Sequence, residues 1–333
     1  RMVDKMRALV VSELSYDYSG CSVLSVDKPS PKSGEVLVRI RAATLGFQDL
    51  LMTQGKYQHK PDLPYIVASE MSGDIVQLGP DVTGLAIGDK VVGGKLTGSF
   101  AEYGVFTASE LRQLPAAFSY AQGAATTSAY LTAYVSLFRR GYLQAGEWVL
   151  VHGAAGGVGL AAVDLAKGAG AKVIVAGSSD AKLARVQEAF DVDAVINVTN
   201  GFRERVKEIT GGGGADIIYD PVGGDVFDES IRCIAWGGRL LVIGFASGRI
   251  PEIPVNLPLI KGFSVVGVRA GEYGRRDPVK GKENIEAIWK MANEGQISPY
   301  VHKIFPLDMW KDAFSQMISR QVVGRIIVDP SQG

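Results

Sequence analysis

Between residues 6 and 110 the apolar positions fall in short β-type runs, 7–11, 35–42, 73–78, 90–92 and 101–106, separated by Gly, Pro and Asp. Short strands punctuated in this way predict a compact β-rich barrel or sandwich. Residues 49–53 leave room only for a short helix before Gly55 stops it. After Ala121 the pattern changes. An Ala- and Thr-rich stretch with long apolar faces, and no Pro or Gly beyond Gly123, predicts one helix running through Leu137. From Trp148 the chain alternates apolar runs with helix-period segments. Strands are expected at 148–152, 172–176, 194–196, 217–219, 239–243 and 264–268, and helices up to 167 and at 180–190, 203–209 and 226–234. Six strands with crossover helices predict a doubly wound parallel α/β sheet. Beyond Val268 only two helices (282–293 and 308–319) and a strand (324–328) are expected, too few for a third core. They are expected to rejoin the first domain. The predicted division is therefore 1–125, 126–266 and 267–333, with the parallel-sheet domain inserted into a discontinuous β-rich one.

Length and composition narrow the function. A chain of 333 residues suggests two domains, and 47% apolar with 21% charged residues describes an ordinary globular protein. Lys plus Arg and Asp plus Glu both number 35, so no net field draws the chain to nucleic acid or to an anionic membrane. The longest apolar run, 148–163, is broken by glycines and stops at Asp164, short of a spanning helix. The amino-terminal residues carry no apolar signal segment, so a cytoplasmic location is expected. Two cysteines, Cys21 and Cys233, and three scattered histidines, His59, His152 and His302, form neither a disulfide framework nor a metal-ligand spacing.

The chemistry concentrates at one turn. The run Trp148 to His152 leads directly into Gly153-Ala154-Ala155-Gly156-Gly157-Val158-Gly159, and an apolar helix follows. A tight strand-to-helix turn without Cβ atoms lets backbone N–H groups approach a pyrophosphate while the helix N-terminus adds partial positive charge. Dinucleotide binding is expected there. The second strand of the alternation ends at Gly177, where an NAD-binding site would carry an acidic residue for the ribose hydroxyls. Instead the sequence continues Ser178, Ser179, Asp180 and Lys182. Without that carboxylate a 2′-phosphate is not repelled, and Ser178, Ser179 and Lys182 offer donors and charge to it. NADPH is the expected cofactor, with Asp180 either turned inward or capping the next helix.

These residues, together with Asp49-Leu-Leu-Met-Thr-Gln-Gly-Lys-Tyr57, Glu70–Gly73, Gly88-Asp89-Lys90-Val91, Thr132-Ala133-Tyr134 and Asp220-Pro-Val-Gly-Gly224, resemble the zinc-independent quinone oxidoreductase branch of the medium-chain dehydrogenase/reductase superfamily. The resemblance covers nearly the whole chain. It implies a GroES-like catalytic domain carrying an inserted Rossmann domain, a substrate cleft between them, and a homodimer, for which the 264–268 strand is a candidate edge. Zinc-dependent relatives place ligands at the positions of Gly46 and Ser69, so metal-free chemistry is implied. Gly46 stands where quinone reductases commonly have an active-site Asn, Val67-Ala68 replaces a usual Pro-Gly, and Val198 stands where relatives often have a Tyr near the 2′-phosphate.

By the same resemblance Tyr57 matches the proton donor or polariser of related enoyl-thioester reductases, unless it only packs at the cleft wall. Thr132 is placed close to the cofactor. Gly244, Phe245 and Ser247 follow the fifth strand at its carboxyl end, where open α/β sheets bind ligands, and Val222 and Gly223 follow the fourth in the same way. The expected activity is NADPH-dependent reduction of quinones or α,β-unsaturated carbonyl compounds by hydride transfer. An enoyl-CoA or acryloyl-CoA reductase is the alternative, with Tyr57 and the basic run Arg269, Arg275, Arg276, Lys280 and Lys282 motivating it. A nucleotide-binding protein without significant catalysis is the alternative of another class.

Overall fold

The computed structural model describes residues 2–332. The chain divides into two compact units, one running to Thr127 and resuming at Val301, the other spanning Ser128–Tyr300.

The first unit is β-rich. Strand Lys5–Val11 pairs antiparallel with Cys21–Asp27 and Tyr65–Ile66. A larger sheet has the order Val301–Pro306, Arg325–Asp329, Glu35–Leu45, Glu70–Leu78, Lys90–Gly94 and Arg112–Gln113, with Tyr103–Thr107 also pairing Glu35–Leu45. The returning C-terminal segment is locked in by register: Ile326, Ile327 and Val328 lie opposite Leu45, Thr44 and Ala43. Leu9, Ile40, Met71, Phe100, Phe305 and Phe314 fill one shared core, so the two separated segments fold as one body. The strand at 21–27 was not expected, because Val23 and Val26 alternate with Ser and Asp on a half-exposed face and the polar positions mask it.

The second unit carries six parallel strands: β1 (Trp148–His152), β2 (Lys172–Gly177), β3 (Ala194–Asn197), β4 (Ala215–Asp220), β5 (Ile234–Val242) and β6 (Ser264–Gly267). Their order in the sheet is β3-β2-β1-β4-β5-β6. The central strands β1 and β4 are buried along most of their length, as a parallel sheet covered on both faces requires. Its helices are α1 (Thr127–Tyr134), α2 (Gly157–Gly168), α3 (Asp180–Phe190), α4 (Arg203–Ile209), α5 (Gly224–Ser230), α6 (Asn256–Lys261), α7 (Ala270–Arg276) and α8 (Pro278–Asn293).

Two expectations change. The single helix predicted from Ala121 to Leu137 is three pieces: a turn of helix at Tyr120–Ala124, then α1, then a wider π-helical segment at Val135–Arg140. Ser119 and Gln122 cap the first piece reciprocally, and it closes at Ala125. Further on, the Ser136 hydroxyl donates back to the Thr132 carbonyl, competing with the regular helical ladder. The second change concerns residues 267–300, expected to rejoin the first domain. They fold with the parallel-sheet unit instead. Ile288, Trp289 and Ala292 of α8 are buried, the buried Asn284 carboxamide accepts the Arg139 Nε–H at 2.7 Å, and Ser298 N–H donates to Asp164 at 2.8 Å. Only the segment from Val301 onward returns.

Candidate functional site

The turn after β1 has the geometry that its glycines predict. Gly153 adopts φ +60°, a left-handed conformation strained for other residues. Gly156 N–H closes the turn onto Gly153 O at 3.2 Å. Gly156 is also the N-cap of α2, and no side chain caps the helix there. The first-turn N–H groups are therefore left without side-chain acceptors, as an anion-binding N-terminus requires. The glycines divide the work. A Cβ on Gly159 would lie 2.3 Å from Gly153 O, so glycine here lets the helix sit against the turn, whereas one on Gly156 meets nothing closer than 3.6 Å. Ala154 is fully buried beneath the turn, and Gly157 and Val158 begin the helix half-exposed.

Beside this turn, the loops that follow β4 and β5 are tied to each other. Asp220 ends β4 almost fully buried, and its Oδ1 accepts the N–H groups of Val222 (2.8 Å) and Gly223 (2.9 Å). Burial pushes the Asp220 carboxyl above its ordinary range, against these two donors, which pull it down. Four backbone bonds then join the loops: Ile243 N–H to Asp220 O, Ala246 N–H to Pro221 O, Ser247 N–H to Val222 O and Gly224 N–H to Arg249 O, at 2.9–3.1 Å. A Cβ on Gly223 would come to 3.0 Å from the Phe245 ring, and Gly223 has φ +70°. The structure thus brings Val222, Gly223, Gly244, Phe245 and Ser247 together at the carboxyl ends of β4 and β5, next to Gly153, whose own Cβ would touch Pro221 at 3.2 Å.

At the end of β2, Gly177 is half-exposed and followed by Ser178, Ser179 and Asp180. Ser179, not Asp180, is the N-cap of α3, its Oγ accepting from Lys182 N–H at 3.3 Å. Asp180 occupies the first helical position, where a carboxylate is favoured by the helix dipole, and its Oδ1 accepts from Asn197 Nδ2 at 3.0 Å. Asn197 closes β3 in register with Gly177 and was not singled out from the sequence. Its signal there was only its place as the last residue of a strand beside an expected binding loop.

Tyr57 belongs to the first unit and follows Gly55 (φ +72°), which ends the helix Phe47–Thr53. Its side chain is 36% exposed, and its ring is not buried in the core. At the start of that helix the Asp49 carboxylate, 2% exposed, accepts Gly46 N–H at 2.7 Å. Burial pushes Asp49 up to about 7, the Gly46 bond and the Arg325 charge opposing it and Glu70 adding to it. The space that a side chain at Gly46 would take holds the Gln48 carboxamide, 2.5 Å from the ideal Cβ position. Thr132, in the second unit, donates its hydroxyl to Ser128 O at 3.0 Å.

His152 lies fully buried at the end of β1, within 2.9 Å of Ser230 Oγ and edge-on to Phe202, and burial holds it neutral, at about 3. It packs the strand end, as its position suggests. Among the described residues no group of three or more His, Cys, Asp or Glu is placed to hold a metal. Cys21 and Cys233 are both buried and free, and burial pushes their thiols up to about 11 and about 12. Among the described residues, too, no helix is long and apolar enough to cross a membrane.

A GroES-like unit joined to a parallel sheet of this order, with an uncapped glycine turn at its central strand, defines a medium-chain dehydrogenase/reductase. The family model described as "Alcohol dehydrogenase GroES-like domain" matches residues 32–116, and that described as "Zinc-binding dehydrogenase" matches residues 157–288. The chain is 38% identical to a quinone oxidoreductase-like protein 2 homolog of Nematostella vectensis over 98% of its own length and 89% of that protein's. A probable oxidoreductase from Mycobacterium abscessus superposes with a TM-score of 0.87 at 32% identity, covering 99% of this chain and all of that one. A mycobacterial protein solved in complex with NADPH superposes with a TM-score of 0.81 at 28% identity, covering 98% of this chain and 100% of that one. The chain belongs to the quinone oxidoreductase branch of the medium-chain dehydrogenase/reductase superfamily, a family of oxidoreductases.

Proposed function

We propose that this chain reduces quinones or α,β-unsaturated carbonyl compounds with NADPH, without a metal. The observation that carries this is the uncapped N-terminus of α2 behind the Gly153 turn, combined with a β2 end that carries glycine and serines where a ribose-binding carboxylate would exclude a 2′-phosphate. The complex of a structural neighbour with NADPH supports the same choice.

In this reading, the backbone of residues 153–159 holds the pyrophosphate, and Gly177, Ser178, Ser179 and Lys182 surround the adenosine end. The joined loops bearing Val222, Gly223, Gly244, Phe245 and Ser247 bound the nicotinamide side. Reduced nicotinamide supplies a hydride to the electrophilic carbon or quinone when bound. Tyr57 then delivers the balancing proton to the reduced acceptor, and Thr132 orients the reacting groups by accepting or donating a hydrogen bond. The chain acts in the cytoplasm as a homodimer, paired along the exposed edge strand β6, with Trp236 in β5 and Leu259 and Ile260 in α6 also exposed.

The test is direct. Purified protein is titrated with NADPH and NADH by calorimetry, then assayed for NADPH oxidation against quinones, enones and enoyl-CoA esters. Tight NADPH binding with turnover of quinones or enones is expected. Tight binding without turnover of any acceptor would sink the catalytic part, and no heat with either coenzyme would sink the whole.

A further inference from the structure

The Asn197 carboxamide is saturated and its orientation is set. Its Oδ1 accepts both the N–H of Thr199 (3.0 Å) and the Thr199 hydroxyl (2.6 Å), which fixes which end of the amide is oxygen. The NH₂ group is thereby turned toward the β2 loop. There it donates to Asp180 Oδ1 at 3.0 Å and, more distantly, to Ser178 O at 3.4 Å. Register explains why it reaches: Asn197 ends β3 directly beside Gly177 at the end of β2.

Asp180 is the only carboxylate in the sequence between Gly177 and Leu183. A carboxylate just past the second strand of this fold accepts hydrogen bonds from ribose hydroxyls and repels a 2′-phosphate. Asp180 is not needed to cap α3, because Ser179 does that. An untethered aspartate at the first helical position samples its staggered rotamers, some of which swing the charge toward the ribose side of the loop. Asn197 removes that freedom by holding the carboxylate against the end of β3.

We propose that Asn197 is a positioning residue for coenzyme choice: by tethering Asp180 to β3 it keeps that carboxylate away from the adenosine ribose and leaves the site to a 2′-phosphate. This rests on the NADPH reading of the Gly153 turn and extends it to a residue that touches neither the turn nor the acceptor. The group excluded is an anionic ester on the ribose, so the effect separates coenzymes that differ only in that phosphate.

The experiment is a mutant cycle. Dissociation constants for NADPH and NADH are measured on the full chain as wild type, Asn197→Ala, Asp180→Ala and the double variant. The readout is the ratio of the two constants, which cancels any loss of folded protein. Asn197→Ala is expected to lower the preference for NADPH about tenfold, the scale of one misplaced charge near a phosphate. Asp180→Ala is expected to keep or raise the preference, and the double variant to regain it. An equal loss for both coenzymes in Asn197→Ala overturns the proposal, as does the same loss of preference when Asp180 is already absent. Failure of the underlying NADPH reading looks different: the wild type itself then prefers NADH or binds neither coenzyme.

Discussion

Asp220 and Gly223 are held together through one carboxylate oxygen, which also receives the N–H of Val222. That oxygen shapes the loop against which Ala246 and Ser247 form their backbone bonds.

Replacing Asp220 by Ala leaves two loop N–H groups without their acceptor. Stability is expected to fall by about 1–3 kcal/mol, the cost of unsatisfied partly buried donors. Coenzyme affinity should fall as well, since the paired loop loosens. Asp220→Asn keeps an oxygen in place and should recover most of both losses. Urea unfolding and coenzyme titration of the two variants check this, and equal losses in both would count against the role of the oxygen.

The glycines of the turn separate folding from binding. Gly159→Ala would press a Cβ to 2.3 Å from Gly153 O, and that backbone atom has no flexible end to move aside. It is expected to cost about 1–3 kcal/mol in stability and to weaken NADPH together with it. Gly156→Ala has an ordinary φ of −73° and open space. Its melting temperature should stay near wild type while NADPH affinity drops, because the added methyl stands where backbone amides must approach the diphosphate. Matched melting and titration curves for the pair decide the matter.

Period and punctuation carried much of this fold. Helices α3 and α4 lie at the predicted positions, since the apolar spacing of Leu183 and Val186 in α3 and of Val206 and Ile209 in α4 is a local signal. The turn at Gly153 was legible because its glycines sit between a buried strand and an apolar helix. What escaped was non-local. The strand at 301–306 reads as mixed polar and apolar, and it is recruited by pairing with Arg325–Asp329, a partner some twenty residues away. Helix α8 shows its buried face plainly, but nothing in its pattern says which unit supplies the partner, and the answer lies with Arg139. Asn197 was equally hidden: its role depends on a register between two strands that the sequence separates by a whole helix.

Tyr57→Phe removes a hydroxyl and keeps the ring. Turnover is expected to fall about a hundredfold, within the range for loss of a positioned proton donor, with NADPH affinity unchanged. Stopped-flow traces of NADPH oxidation beside equilibrium titration separate the two quantities. Unchanged turnover would leave Tyr57 as a packing residue.

The free edge of the sheet makes a separate prediction. Val265, in β6, is 40% exposed, and Trp236, in the neighbouring strand β5, is 80% exposed. Val265→Lys places a desolvated charge in any edge-to-edge pairing and is expected to shift a wild-type dimer to monomer in sedimentation velocity. A wild type already monomeric at high concentration would end the dimer reading.

Asp49 gives the clearest pH signature. In the unfolded chain its carboxyl titrates near 4, whereas burial in the fold pushes it up to about 7. Below pH about 4 it is neutral in both states, and the fold keeps its full stability. As the pH rises, the unfolded chain releases the proton first, so the folded state is progressively penalised until its own carboxyl ionises near 7, after which the penalty is constant. Asp49→Asn cannot titrate and still offers an oxygen to Gly46 N–H. Relative to that variant, wild-type stability should therefore decline between about pH 4 and 7, by up to roughly 4 kcal/mol, and run parallel to it above that window. Denaturant unfolding of both proteins across that range measures the difference, and two profiles parallel throughout would show that the carboxyl is not held in its neutral form by burial.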